Sequence, residues 1–164
     1  MGVRCDDADT RPFGVRLEPG AGRLMLVTMM LADAVQEAGG KLFILGGGWS
    51  VTGPEVPPMA VALKIDVPWT EANRRHDWQL QLLDADGEAV HHPGVGGPGD
   101  PIEARGDFEV GRPPGLAPGT DIDLPLAISV GPLALSPGRR YSWRLTIDGH
   151  SDAEWVRSFT VRAG

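Results

Sequence analysis

Strict alternation of apolar and polar side chains, carried through four separate segments, constrains this chain more than any other feature of its sequence. In Met59-Ala60-Val61-Ala62-Leu63-Lys64-Ile65-Asp66-Val67 every odd position is large and apolar, and every even one is small or charged. Ile102 to Val110 repeats the pattern, with Ile102, Phe108 and Val110 set against Glu103, Arg105, Asp107 and Glu109. Ile122, Leu124, Leu126, Ile128 and Val130 make a third row. Tyr141, Trp143, Leu145 and Ile147 make a fourth, facing away from Ser142, Arg144 and Thr146. Successive side chains of a pleated strand point to opposite faces, so a period of two means that one face is buried and the other wetted. No segment shows an equally good helical period.

Four further strands are expected at 24–32, 41–46, 76–84 and 154–162. Turn signals separate the set at regular intervals: Gly39-Gly40, Pro57-Pro58, Asp86-Gly87, Pro113-Pro114-Gly115, Pro137-Gly138 and Asp148-Gly149. Gly supplies 23 and Pro 15 of the 164 residues, which leaves little room for helices of ordinary length. Short helical turns are expected only around Ala34–Glu37 and Thr70–Arg74. About eight amphipathic strands, each with one face to hide, predict an all-β, antiparallel β-sandwich, immunoglobulin-like or C2-like, with a closed β-barrel as the alternative. Residues 1–22 lack any hydrophobic period and read as a disordered N-terminal tail, a possible non-native extension; residues 23–164 read as a single domain. His91 to Pro101 (HHPGVGGPGDP) is expected to be a long mobile loop inside it.

The formal net charge is −7, and the only locally basic runs are pairs such as Arg74-Arg75 and Arg139-Arg140. A nucleic-acid binder needs a basic face to neutralise phosphates, and an acidic surface disfavours anionic membranes, so neither partner is expected. The single cysteine, Cys5, permits no intramolecular disulfide. A loop-rich fold without disulfides points to a reducing cytoplasm. The apolar run Leu24 to Ala32 is too short to span a bilayer. It ends in an Ala-x-Ala triplet, but Asp6, Asp7, Asp9 and Glu18 offset the arginines before it, so the positive start of a secretory signal is missing.

Candidate chemistry is sparse. Gly46-Gly47-Gly48-Trp49-Ser50 follows an apolar strand, yet lacks the Gly-Lys-Ser/Thr of a phosphate loop and the second glycine of a nucleophile elbow. A glycine-permitted bulge or bend is expected there. Asp84-Ala85-Asp86-Gly87-Glu88 resembles the opening of a calcium loop, but no distant bidentate glutamate follows, and Asp-Gly between strands reads as a hairpin turn. His91 and His92 are adjacent and point opposite ways in an extended chain, a poor chelating pair. No catalytic residue, metal site or cofactor is predicted.

Of the five tryptophans, Trp78, Trp143 and Trp155 fall on the apolar parity of their strands and are expected in the core. Trp49 and Trp69 fall at strand ends, where an aromatic either caps the core or anchors a ligand. If the strands simply alternate in direction, one end of the sandwich collects the loops 33–40, 68–75, 111–121 and 149–153. That end gathers, around Glu71, the residues Trp69, Arg74, Arg75 and Arg112, an aromatic and basic group on an acidic protein. Sandwich loops commonly carry function, so these four residues are the predicted binding site.

Met30-Leu31-Ala32-Asp33-Ala34, the stretch Gly40-Lys41-Leu42-Phe43-Ile44-Leu45-Gly46-Gly47-Gly48-Trp49-Ser50, Asn73-Arg74-Arg75-His76, Phe108 to Gly115 and Tyr141 to Leu145 together resemble a largely actinobacterial family of hypothetical proteins. The resemblance covers roughly 30–161 and implies a bacterial, cytoplasmic protein with a natural start near Met29 or Met30. It transfers no activity, because that family is a domain of unknown function. Arginine greatly outnumbers lysine, which occurs only at Lys41 and Lys64, as a GC-rich genome would have it. The expectation is a non-catalytic module binding a protein or small ligand through loops at one end. Carbohydrate recognition or processing, and a structural subunit self-associating through a sheet edge, are the alternatives.

Overall fold

The computed structural model describes residues 24–164; the expected N-terminal tail lies outside the described residues. Twelve strands follow one another among them: β1 (Leu26–Ala32), β2 (Ala34–Ala38), β3 (Lys41–Leu45), β4 (Val51–Thr52), β5 (Met59–Val67), β6 (Arg75–Leu83), β7 (His91–Gly94), β8 (Gly97–Pro101), β9 (Glu103–Glu109), β10 (Ile122–Val130), β11 (Arg140–Ile147) and β12 (Val156–Val161). They form a three-stranded sheet in the order β1-β5-β10, a five-stranded sheet in the order β4-β12-β11-β6-β9, and two separate hairpins, β2-β3 and β7-β8. Every pairing is antiparallel except the two-residue contact of β4 with β12. No sheet closes on itself. The fold is a β-sandwich.

Alternation decides how the sheets stack. On β5 the odd residues Met59, Val61, Leu63, Ile65 and Val67 are all buried, and Leu63 sits between Met29 of β1 and Leu126 of β10. Across the sandwich, Leu80, Leu82, Tyr141, Trp143, Leu145, Ile147 and Phe159 supply the facing layer of one continuous core. Trp143 and Trp155 are buried in it, and Trp78 and Trp49 pack against it. Trp49 meets Phe159 edge-on with ring centroids 6.0 Å apart, so it closes one end of the core.

The outer face of β5 departs from the simple rule. Ala60 and Ala62 are as buried as the odd positions, because β2 and β3 pack over this half of the three-stranded sheet, against β5 and β10. Small side chains are what let a third layer approach so closely. Further along the same face Lys64 bridges Asp66 and Asp123, and that half stays open to water. Arg157 of β12 ties the two sheets together at their edge: its Nε donates to the Met29 carbonyl at 2.7 Å and its Nη1 to the Val156 carbonyl at 2.8 Å.

Three expectations are corrected. The stretch Ala34–Glu37 is not helical but strand β2; Gly39 and Gly40, at φ 59° and 73°, form the two-residue turn that pairs it with β3. The segment 91–101 is the hairpin β7-β8 rather than a featureless loop. The third correction concerns the loop ends. Ala32 lies opposite Ala60, and after β3 the chain returns so that Gly48 N–H donates to the Leu31 carbonyl at 2.8 Å. Segment 33–40 is therefore rooted beside the start of β5, at the end opposite 68–75. A hairpin takes the chain out and brings it back, so counting β3 as a traverse put this loop at the wrong end. The expected helical turn near Thr70–Arg74 is present as a shorter 3-10 turn over Trp69–Glu71.

Candidate functional site

With segment 33–40 removed, the predicted end consists of residues 68–75, 111–121 and 149–153. Sheet register brings them together, since Arg75 of β6 lies opposite Glu109 of β9 and Trp78 opposite Ile147 of β11. Backbone bonds then lock loop to loop: Asn73 N–H donates to the Val110 carbonyl at 2.8 Å and Asp148 N–H to the Asp77 carbonyl at 2.8 Å. Asn73 and Asp148 have φ of 57° and 50°, the only non-glycine residues at positive φ among those described. Asn and Asp tolerate this conformation better than other residues, and both cases fall at this end.

Trp69 and Arg112 form one unit. The guanidinium lies 4.8 Å from the indole centroid, and Arg112 Nη2 donates to the Trp69 carbonyl at 3.0 Å. A cation over an indole face gains from the ring quadrupole. Trp69 is half-buried and Arg112 exposed. Arg74 bonds the Glu71 carboxylate at 2.7 Å, which brings it to the same turn. Arg75 is not gathered with them; its guanidinium bonds Asp107 of β9 at 3.0 Å, and it belongs to the sheet edge.

Beneath the turn lies a pair that sequence reasoning passed over. His76 is 1% exposed; its Nδ1 faces Asp148 Oδ2 at 2.7 Å and its Nε2 donates to the Glu71 carbonyl at 3.1 Å. Asp148 Oδ1 also accepts from Asp77 N–H at 2.9 Å. Burial pushes the Asp148 carboxyl upward, but the hydrogen bonds from His76 and from Asp77 N–H, with the nearby His76 and Arg74, outweigh it and hold it below the usual carboxylate range. A histidine held by a carboxylate is half of a hydrolytic triad. Here Nε2, the nitrogen that would take a proton from a nucleophile, is occupied by a backbone carbonyl. The pair therefore braces the turn. Its signal was available: His76 continues the buried parity of Trp78, Leu80 and Leu82, and a buried histidine demands polar partners.

Glu71, His76, Asp148, His150 and Trp155 line a shallow cleft of about 220 Å³ beside this pair. His150 packs edge-on to Trp155 with centroids 5.7 Å apart. At the opposite end the Asp84 carboxylate accepts from Asp86 N–H and Glu88 N–H at 2.9 and 3.0 Å, so it organises the expected turn. No helix of the described residues is long and apolar enough to cross a membrane.

The fold and its braced loop end thus define an all-β sandwich domain of the kind that presents loops from a rigid scaffold. Over residues 27–161 the chain matches the model of a family of unknown function, DUF6941, and it belongs to that family. No curated protein and no solved structure matches it.

Proposed function

We propose that this domain is a non-catalytic, cytoplasmic bacterial module that binds a protein partner through the turn carrying Trp69, Arg74 and Arg112. The observation that carries this reading is the Arg112–Trp69 stack, a planar cation held against a half-exposed indole on a turn braced from below by His76 and Asp148. Aromatic and arginine side chains dominate the energetics of protein interfaces. Arg75 belongs to the original site, but its commitment to Asp107 demotes it to the rim. Carbohydrate stacking fits less well, because one face of Trp69 already carries a guanidinium. The acidic net charge argues against nucleic acid and membrane as partners.

The test is affinity capture from the native host, with wild type and the Trp69→Ala/Arg112→Ala double variant compared by mass spectrometry. The double variant is expected to lose the partner while its melting temperature stays close to wild type, since both side chains lie outside the core. Equal capture by the two proteins would remove this site.

A further inference from the structure

We infer that the hairpin β2-β3 is the surface on which two copies of this chain pair, with β3 of one copy lying antiparallel to β3 of the other. The hairpin is apolar where it should be wet. Phe43 is 58% exposed, Ile44 41% and Leu45 71%, in a stretch where the cross-strand partners of Phe43 and Leu45 are only Gln36 and Ala34. Among the described residues no other strand pairs with the hairpin and its one further backbone bond is from Asp33 N–H to the Leu45 carbonyl, so the outer edge of β3 at Leu42 and Ile44 presents unpaired N–H and C=O groups alongside these side chains.

The other long edges of the molecule carry the devices that prevent such pairing. Pro125 removes a donor from β10, and Glu103, Arg105, Asp107 and Glu109 place charges along β9. On β1, the Met29 carbonyl is taken by Arg157 and the Leu31 carbonyl by Gly48. β3 has neither proline nor an inward charge; its one charged residue, Lys41, stands at the hairpin turn. An edge left unblunted and apolar on a chain that blunts β1, β9 and β10 is suited to strand addition.

Charge selects a second copy as the occupant. The molecule carries −7, so copies repel at most orientations, but residues 34–45 contain one Glu37 and one Lys41 and no other charge. This neutral island is where like-charged copies can meet. A two-fold axis at Phe43 places Phe43 opposite its own mate, Leu42 opposite Ile44 and Lys41 opposite Leu45. No like charges face each other, and the lysine stem can lie along leucine with its ammonium in water.

Sedimentation velocity of the full chain, in a Cys5→Ser background and over a range of concentrations and salt, tests this. The expected result is a reversible monomer–dimer equilibrium that high salt strengthens, because salt screens the net repulsion and leaves apolar contact intact. Phe43→Ser with Leu45→Ser should weaken the dimer at least about tenfold, as loss of central apolar anchors does. Phe43→Cys should cross-link as a disulfide dimer under mild oxidation and Lys41→Cys should not, since only the former faces its own mate. A monomer at every concentration, a dimer indifferent to the two serines, weakening by salt, or equal cross-linking from both cysteines would each overturn the assignment. Trp69→Ala/Arg112→Ala should leave the equilibrium unchanged, which separates this surface from the loop end.

Discussion

Asp148 joins three demands in one residue: it turns the chain at positive φ, accepts from the backbone of Asp77 and holds His76. Its carboxyl is held below the ordinary range, so the folded state binds its proton less readily than the unfolded chain does. The stabilisation is then present above the unfolded value near 3.8 and is lost as pH falls through the lower folded value. Asp148→Asn keeps the shape and tolerates the same backbone, but cannot carry the charge. Urea unfolding as a function of pH should show the variant less stable than wild type at neutral pH, with the gap closing as pH falls below the unfolded value. A constant gap across that range would mean that the charge of Asp148 contributes nothing. Sequence alone could not pair these residues, because 72 positions separate them and only the β6-β11 register brings them together.

At the scale of elements, eight strands were legible, four from strict alternation and four from apolar runs between turn signals, and every one of them is present. The short strands were not. Ala34-Val35-Gln36-Glu37-Ala38 has a helix-favouring composition, and it is the glycine turn after it, with the partner strand beyond, that draws it into a hairpin. His91 to Pro101 is dense in turn formers, and only its pairing makes it β7-β8. A neighbouring element also explains an interruption in one of the legible strands. Gly106 breaks the alternation of β9 because Trp78, directly opposite on β6, lies over it; a Cβ there would meet the indole at 2.8–2.9 Å. Gly106→Ala should therefore cost about 1–3 kcal/mol by overpacking. In a Trp78→Ala background the same substitution should cost much less, a coupling readable from a double-mutant cycle by chemical denaturation. Equal penalties in the two backgrounds would assign the loss to backbone conformation instead.

For the whole molecule, the order in which the chain connects its sheets predicts the order in which they form. Only β11 and β12 are both long neighbours in a sheet and close in sequence, joined by residues 148–155. β5 pairs with β1 across the hairpin and with β10 across the intervening β6–β9 region, so the three-stranded sheet requires two long closures. Loop-closure entropy must be met before distant contacts repay it, which favours β11-β12 as the nucleus. Leu145→Ala on β11 and Met29→Ala on β1 both truncate buried side chains and should each cost about 2–5 kcal/mol at equilibrium. Stopped-flow chevrons should divide that loss differently. Leu145→Ala should mainly slow folding, with φ above about 0.5, whereas Met29→Ala should mainly accelerate unfolding, with φ below about 0.3. The reverse partition would place nucleation in the three-stranded sheet. The hairpin β2-β3 packs on that sheet's outer face, so in the expected order its apolar edge becomes a defined surface only after the sandwich beneath it has closed.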